Sequence, residues 1–412
     1  MSKSILKGKH IILGISGGIA AYKSILLARQ FIKCGAEVQV VITPSGKEFV
    51  TPLTLSTITS KPVISEFFDR RDGSWNSHVD LGLWADAMVV APATASTIGK
   101  MAHGIADNML ITTYLSCKAP VFVAPAMDLD MYKHPSTQSN LKLLQSYGNK
   151  IIEAADGELA SHLIGKGRMQ EPEVILDELS NYFLSKEQNT SVCEVLRGKR
   201  VVITAGPTYE EIDPVRFIGN HSTGLMGIEI ADALSRAGAQ VDLVLGPSHL
   251  KPQCSNVIVH SVKSALEMLD EAEKYFESAD IAIMSAAVAD YRPKLVSSEK
   301  IKREKTTEMS IELVANPDIA ATLGQKKSAG QFVVGFALET AKNAVEEAKR
   351  KIVSKNLDAI VLNTLADEGA GFGGTTNKVT IIEKNGVQHP YPLKSKRQVA
   401  EDLVSFVAET LK

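Results

Sequence analysis

Cysteine is scarce in this 412-residue chain, and the four that occur, Cys34, Cys117, Cys193 and Cys254, stand far apart with no Cys-x-x-Cys pair. Such spacing indicates neither a zinc cluster nor a disulfide framework, and a reducing cytoplasm suits it. A surplus of one charge is missing too: 45 Lys and Arg face 47 Asp and Glu, for a formal net charge of -2. That balance gives no footing on a nucleic-acid backbone or an anionic membrane surface. Long apolar runs are absent, none approaching the roughly 18 residues a membrane helix needs. The opening MSKSILKGKHIILGISGGIAAY has lysines ahead of apolar residues, as a signal peptide does. Its run is broken by glycines, however, and passes straight into the amphipathic AYKSILLARQFIKCG. The expectation is a cytoplasmic protein with no membrane and no nucleic-acid partner.

What is present is ordinary globular composition, 44% hydrophobic and 22% charged. The length exceeds what one core usually serves, so two domains are expected. The first stretch reads as a strand at 10–14, a glycine turn, a helix to about Lys33 closed by Gly35, and a strand at 37–43. Apolar runs at 86–93 and 119–127 end in small residues and proline, as buried parallel strands opening onto a crevice would. After a helix near 172–185 comes SKEQNTSVCE, polar and without apolar period, which reads as a linker. The pattern then restarts: KRVVITAG, GIEIADALSRAG and AQVDLVLG give strand, helix, strand, followed by strands at 280–287, 331–337 and 358–363. The predicted fold is α/β with two doubly wound, Rossmann-like units covering 1–186 and 199–412, joined by a linker at 187–198.

The glycine turn GISGGIAAYK, at the carboxyl end of its strand, can present backbone amides to an anion, with Ser16 adding a hydroxyl donor. A tight turn of this kind also occurs with no ligand. Both GxGxxG and GxxxxGK[ST] are missing, so neither a dinucleotide fingerprint nor a Walker loop is supported, and a mononucleotide phosphate fits better. His78, in NSHVDLGLWAD, is a candidate acid–base residue, although a lone histidine is more often structural. The basic run EKIKREK, taken by charge alone, reads as a solvated face; between a crossover and NPDI it reads as a mobile loop that closes over a triphosphate.

Together with VVAPATASTIGKMAHGIADN and VAPAMDLDMYKHP, these first-half motifs resemble the flavin-dependent cysteine decarboxylases, whose pattern runs His, APAT, PxMNxxMW. In the second half, ITAGPTYEEIDPVRFIGNHSTG, SAAVADYRP, SSEKIKREK, ANPDI and GFALET resemble the ligase domain that joins cysteine to 4'-phosphopantothenate using CTP. The resemblance covers nearly the whole chain in one order. It is that of the bacterial bifunctional phosphopantothenoylcysteine decarboxylase/phosphopantothenate–cysteine ligases. It implies a flavodoxin-like FMN domain followed by a nucleotide-binding ligase domain, CTP with Mg2+, and homo-oligomers with trimeric flavoprotein and dimeric ligase contacts. Carried over residue by residue, the FMN contacts fall on Ser16, Gly17, Gly18, Thr43, Thr94, Ser96, Asn108 and Met127, and the catalytic base on His78. In the ligase half, Arg216 and Asn220 match the positions that handle the acyl-cytidylate, with Lys300 as the catalytic donor to charge developing on the phosphate. Nucleotide contacts fall on Ala286, Ala287, Asp290, Lys300, Pro317, Asp318, Ile319, Ala320, Phe336, Lys351 and Lys355.

Three positions depart from the pattern: Asp128 stands for its asparagine, Ser161 for its proton-donating cysteine, and Leu225 for the lysine of its SSGKMG. An ionised Asp128 about 4 Å from a substrate carboxylate costs roughly 4 kcal/mol at an effective dielectric near 20, so Asp128 is expected to be protonated there or to face elsewhere. With Ser161 in place of a thiol, His162, His78 or a water is expected to deliver the proton. The implied function is CTP-dependent ligation followed by FMN-dependent decarboxylation to 4'-phosphopantetheine. The alternatives are a flavin-binding scaffold fused to a ligase, with Asp128 and Ser161 as marks of a decayed site, and a nicotinamide-dependent reductase, which the missing fingerprint disfavours.

Overall fold

The computed structural model describes residues 5–68, 73–302, 309–339, 343–364 and 374–412. The chain divides into two compact units, Met1–Glu187 and Gln188–Lys412. Among the described residues no helix is long and apolar enough to cross a membrane.

The first unit is built on five parallel strands, β1 (His10–Ile15), β2 (Glu37–Ile42), β3 (Ala87–Ala93), β4 (Val121–Pro125) and β5 (Lys150–Ile151), in the order β2-β1-β3-β4-β5. This is the flavodoxin-like order, and its direction reverses between β1 and β3. Side chains alternate across the sheet. Ile11, Leu13 and Ile15 join one core with helix α1 (Ala21–Lys33), while Ile12, Met88 and Val90 join another on the opposite face. Burial on both faces is why these strands read as unbroken apolar runs, each fully buried Ile or Leu contributing about 1.5–3 kcal/mol. A hairpin of β6 (Ala155–Glu158) and β7 (Ile164–Arg168) follows the sheet.

The second unit carries an eight-stranded sheet. In spatial order its parallel strands are Val257–Ser261, Gln240–Leu245, Arg200–Ala205, Ile281–Met284, Phe332–Glu339 and Ala359–Thr364. Two antiparallel edge strands, Val379–Glu383 and Gln388–Pro390, complete it. The parallel part is the 3-2-1-4-5-6 Rossmann order, reached without the glycine fingerprint, and its direction reverses between Arg200–Ala205 and Ile281–Met284.

One expectation needs correcting. The stretch expected to be a linker is helical: a single helix runs from Pro172 to Leu196. Two facts explain it. No glycine or proline interrupts residues 173–197, and Val192 and Leu196, four apart on one helix face, are buried in the second core. The polar run at 185–191 just before them hid that pair from a reading of period.

Candidate active sites

Strands that stop at a reversal of direction leave a crevice beyond their carboxyl ends, and both units use it. In the first, the loops after β1, β3 and β4 line a cavity with Gly17, Gly18, Thr94, Ser96, Met127 and Asp128. The β6–β7 hairpin closes it with Glu158, Ser161, His162 and Arg168. Gly17 is required by close approach: a Cβ there would stand 2.6 Å from Ser45 Oγ. At Gly18 an added Cβ would meet only Thr94 Cγ2, at 3.4 Å, so the turn is bare on its cavity side.

Other expected residues brace this turn. Ser16 is buried; its hydroxyl donates to Pro92 O at 2.7 Å and accepts from the Thr94 N–H at 3.0 Å, tying β1 to β3. Thr43 is buried too and caps the turn at Gly46. Asn108 caps the helix Met109–Ser116 by accepting from the Ile111 N–H. These three lie outside the cavity lining, as does His78. His78 opens the helix His78–Trp84 behind the Ser77 cap, and its Nδ1 is enclosed without a partner. Asp128 stands at the N-cap position of the helix Leu129–Lys133 without a side-chain capping bond and accepts a hydrogen bond from Ser161 Oγ, so the two departures from the motif touch each other. His162 has φ +63 and pairs through Nδ1 with Glu158 Oε1 at 3.1 Å. Sequence reasoning missed Lys23. It is buried at the cavity wall and donates to Met169 O at 3.0 Å and Glu171 Oε1 at 2.7 Å, which pins α1 to the segment after β7.

In the second unit most expected nucleotide residues converge on one pocket: Ala286, Asp290, Pro317, Asp318, Ile319, Ala320, Phe336, Lys351 and Lys355. Ala287 lines an adjoining cavity, with Phe336 and Ala286 common to both. Asp318 caps the helix Ile319–Gln325 and meets Lys355 Nζ at 2.8 Å. Burial alone would raise its pKa, but Lys355 and the helix amides outweigh burial and hold it below the ordinary aspartate value. Lys351 pairs with Glu339 at 2.6 Å.

Asn220 donates through Nδ2 to Ala287 O at 3.0 Å and Val288 O at 3.1 Å, which leaves Oδ1 without a polar partner among the described residues. Arg216 is largely committed: Nε donates to Asp213 at 2.9 Å and Nη2 to Asp213 and to Ile301 O, the latter at 2.7 Å. Asp213 also accepts from the Ile301 N–H at 3.2 Å. The Arg216 guanidinium and these amides hold the Asp213 carboxyl far below the usual carboxylate range. Asp213 and Arg216 therefore anchor the loop that bears Lys300, a function no sequence motif announced. Lys300 itself lines neither cavity, and Arg303, Glu304 and Lys305 of EKIKREK lie outside the described residues.

Residues 1–184 match the family described as Flavoprotein, and residues 196–411 match the DNA/pantothenate metabolism flavoprotein C-terminal domain. The coenzyme A biosynthesis bifunctional protein CoaBC of Haemophilus influenzae is 44% identical over 98% of this chain and 98% of its own length. The chain belongs to this bifunctional coenzyme A biosynthesis family. The CoaBC of Bacillus subtilis is 42% identical, again over 98% of each chain. A cysteine/cysteine sulfinic acid decarboxylase from an unknown prokaryotic organism is 54% identical, covering 86% of this chain and 98% of its own length.

The first cavity fits the flavin that this family name implies. A turn stripped of side chains for close approach, hydroxyls at Thr94 and Ser96, and the apolar wall of Ile19, Ala126 and Met127 match a phosphate and a ring system in turn.

Proposed function

We propose that the chain carries out two consecutive steps of coenzyme A synthesis. The first joins 4'-phosphopantothenate to cysteine at the expense of CTP; the second decarboxylates the product to 4'-phosphopantetheine. The carrying observation is that nine expected nucleotide residues, scattered over 70 positions, line one pocket at the sheet's switch point. In the ligase step a carboxylate oxygen attacks the α-phosphorus of CTP and pyrophosphate leaves. The cysteine amine then attacks the acyl carbon, and the C–O bond to CMP breaks. Lys300, on its tethered loop, would neutralise charge developing on the phosphate, and Asn220 Oδ1 would orient the N–H of the attacking amine. Mg2+ would enter as the counter-ion of CTP. Among the described residues no three His, Cys, Asp or Glu side chains gather to hold a metal, so phosphate oxygens and water would supply most of its ligands.

In the other half, Gly17, Gly18, Thr94 and Ser96 would hold the FMN phosphate and Met127 its ring. FMN supplies reversible two-electron oxidation of the cysteinyl thiol. Ser161 would hydrogen-bond the reacting substrate, and His162, beside it in the cavity, or His78 would deliver the proton to carbon. His78 would reach the cavity from a second copy. Two apolar patches support this: Ile19, Tyr22 and Leu26 are exposed on one face of the turn and α1, and Trp75, Val79 and Leu83 are exposed around His78. Different patches that fit each other make a head-to-tail contact, and a closed ring such as a trimer satisfies all of them. A dimer through the ligase unit completes the proposed assembly. Four free cysteines suit the reducing cytoplasm. The test is mass spectrometry after anaerobic incubation with 4'-phosphopantothenate, cysteine and CTP. 4'-Phosphopantetheine is expected; a stop at 4'-phosphopantothenoylcysteine would point to the flavin-binding scaffold instead.

Asp128 favours a second reading of the flavin half, in which its substrate is cysteine or a close amino acid, as the name of the 54% identical relative suggests. A free amino acid carries an ammonium; in phosphopantothenoylcysteine that nitrogen is an uncharged amide. A carboxylate lining the cavity complements the ammonium and repels a lone substrate carboxylate. The ratio of kcat/KM for free cysteine to that for phosphopantothenoylcysteine decides between the readings. Under the second, Asp128→Asn lowers that ratio about tenfold or more, and under the first it leaves free cysteine a poor substrate before and after.

A further inference from the structure

Asp128 and Ser161 belong to different elements, the loop after β4 and the β6–β7 hairpin, and the backbone presses them together. The Met127 N–H donates to Gly167 O at 3.0 Å, and a Cβ on Gly167 would stand 2.5 Å from Met127 O. A Cβ on Gly165 would stand 2.6 Å from Leu129 Cδ1. These two close approaches on β7 fix the register at which the hairpin tip brings Ser161 Oγ to Asp128. Asp128 is half-buried, and the Ser161 hydroxyl is the sole partner of its carboxylate among the described residues. The cations of the cavity wall are committed elsewhere: Lys23 and Arg168 pair with Glu171 at 2.7 and 3.1 Å, and His162 pairs with Glu158 at 3.1 Å.

A substrate carboxylate brings a second anion to this place. The carboxylate lost as CO2 is bonded to the carbon that takes the new proton, so a hydroxyl that reaches that carbon stands beside the carboxylate too. Two carboxylates held together with no cation between them share a proton. With that proton on Asp128 the hydrogen bond reverses: Oδ2–H donates to Ser161 Oγ, and the serine hydrogen, which an ionised Asp128 engages, is released toward the substrate.

We infer that Asp128 and Ser161 together carry the proton that replaces CO2 on carbon, Asp128 as its source and Ser161 as the relay. After the two-electron oxidation of the thiol that FMN supplies, the C–C bond to the carboxylate breaks, CO2 leaves and the electron pair stays behind as an enethiolate. That pair forms a C–H bond with the Ser161 proton while the Asp128 proton moves to Ser161 Oγ, leaving a thioaldehyde for the return of the two electrons. Charge balances, since the two carboxylates hold one negative charge before the step and Asp128 alone holds it afterwards. The step times itself: departure of CO2 removes the anion that kept the proton on Asp128. A histidine then serves only the sulfur. The carrier rests on the reading of phosphopantothenoylcysteine as substrate and replaces that reading's choice of donor to carbon. Free cysteine would neutralise the second charge with its own ammonium.

Two measurements on the flavin-loaded, full-length protein test it. The first is titration calorimetry with 4'-phosphopantothenoylserine, whose hydroxyl stops the redox chemistry, in two buffers of different ionisation enthalpy. At neutral pH the parent is expected to take up about one proton per site more than Asp128→Asn, and equal uptake overturns the inference. The second is the ratio of 4'-phosphopantetheine to released enethiol formed from 4'-phosphopantothenoylcysteine. It is expected to fall about tenfold or more in Asp128→Asn and in Ser161→Ala. Asp128→Asn combined with Ser161→Cys should return the ratio to within about twofold of the parent, because a thiol brings its own proton. A ratio that Asp128→Asn leaves unchanged places the source elsewhere, and a loss that the added cysteine does not repair makes Asp128 a residue that only shapes the site; either result sinks the carrier. Should Asp128→Asn not fold, Ser161→Ala decides, and an unchanged ratio overturns the relay. A parent that decarboxylates free cysteine and leaves 4'-phosphopantothenoylcysteine untouched removes the substrate reading itself, and the carrier with it.

Discussion

The two units place a site at the same point of the same kind of sheet, yet they differ in how much of the site one chain brings together. In the ligase unit the nucleotide residues come from two successive crossovers and the strand between them and meet in one pocket, Asp318 and Lys355 already paired. In the flavoprotein unit the glycine turn, the Thr94 loop, Asp128 and the hairpin converge, but His78 stands apart with a buried nitrogen unsatisfied. A pocket made within one chain can be braced by its own core. One that needs a neighbour leaves apolar surface and unpaired polar atoms where the neighbour docks. On the proposed reading, the contrast separates nucleotide residues gathered within one copy from a flavin site that a second copy would complete.

The most direct way to break that comparison is His78→Asn. Decarboxylation should fall by about 100-fold or more, since an amide cannot exchange a proton as an imidazole does, while CTP-dependent ligation stays at the parent rate. Mixing this variant with Gly17→Val, whose side chain collides with Ser45, should restore part of the activity if each cavity borrows the histidine of another copy. No recovery in the mixture would place both groups in one chain. On the ligase side, Lys300→Gln should slow pyrophosphate release about 100-fold and leave flavin binding untouched. Release at the parent rate would return EKIKREK to a solvated face.

A smaller effect is expected from Asp213→Asn, which loosens the tether of the Lys300 loop. The folded-state pKa of Asp213 is depressed, so its contribution to stability is complete above the unfolded aspartate value and is lost as pH falls through the folded value. Urea midpoints of parent and variant should therefore differ by a constant amount from pH 5 to 8 and converge only in acid. A gap that changes between pH 6 and 8 would show that another group carries the effect. The smallest change is expected for Ser161→Cys, with decarboxylation no slower than in the parent because a second proton donor already serves. Enethiol accumulation by the parent, cured by the cysteine, would show that no such donor exists.

Much of this was legible in order along the chain. Alternating apolar strands and amphipathic helices announce parallel sheets because a strand buried on both faces must be apolar throughout. Glycine turns and short motifs mark the strand ends, since close backbone approach excludes side chains. Less legible were features that depend on partners distant in sequence. The helix through residues 187–196 was hidden because its anchors, Val192 and Leu196 with Cys193 and Val195 beside them, come at its very end, and their burial depends on a core formed by later strands. The hold of Asp213 and Ile301 on Arg216 is likewise invisible in the sequence, since Ile301 lies 85 residues away.

The sequence by itself determined the two α/β units, their order, the turns that open each site and the types of residue available there. These follow from local periodicity and from steric demands of single positions. Only the tertiary structure decided which of those residues share a cavity, that Ser16, Thr43 and Asn108 brace loops outside the cavity lining, and that Lys396 lies buried without a counter-charge among the described residues. Such facts depend on desolvation and on the presence or absence of a partner many residues away, and neither quantity is a property of any short stretch of chain.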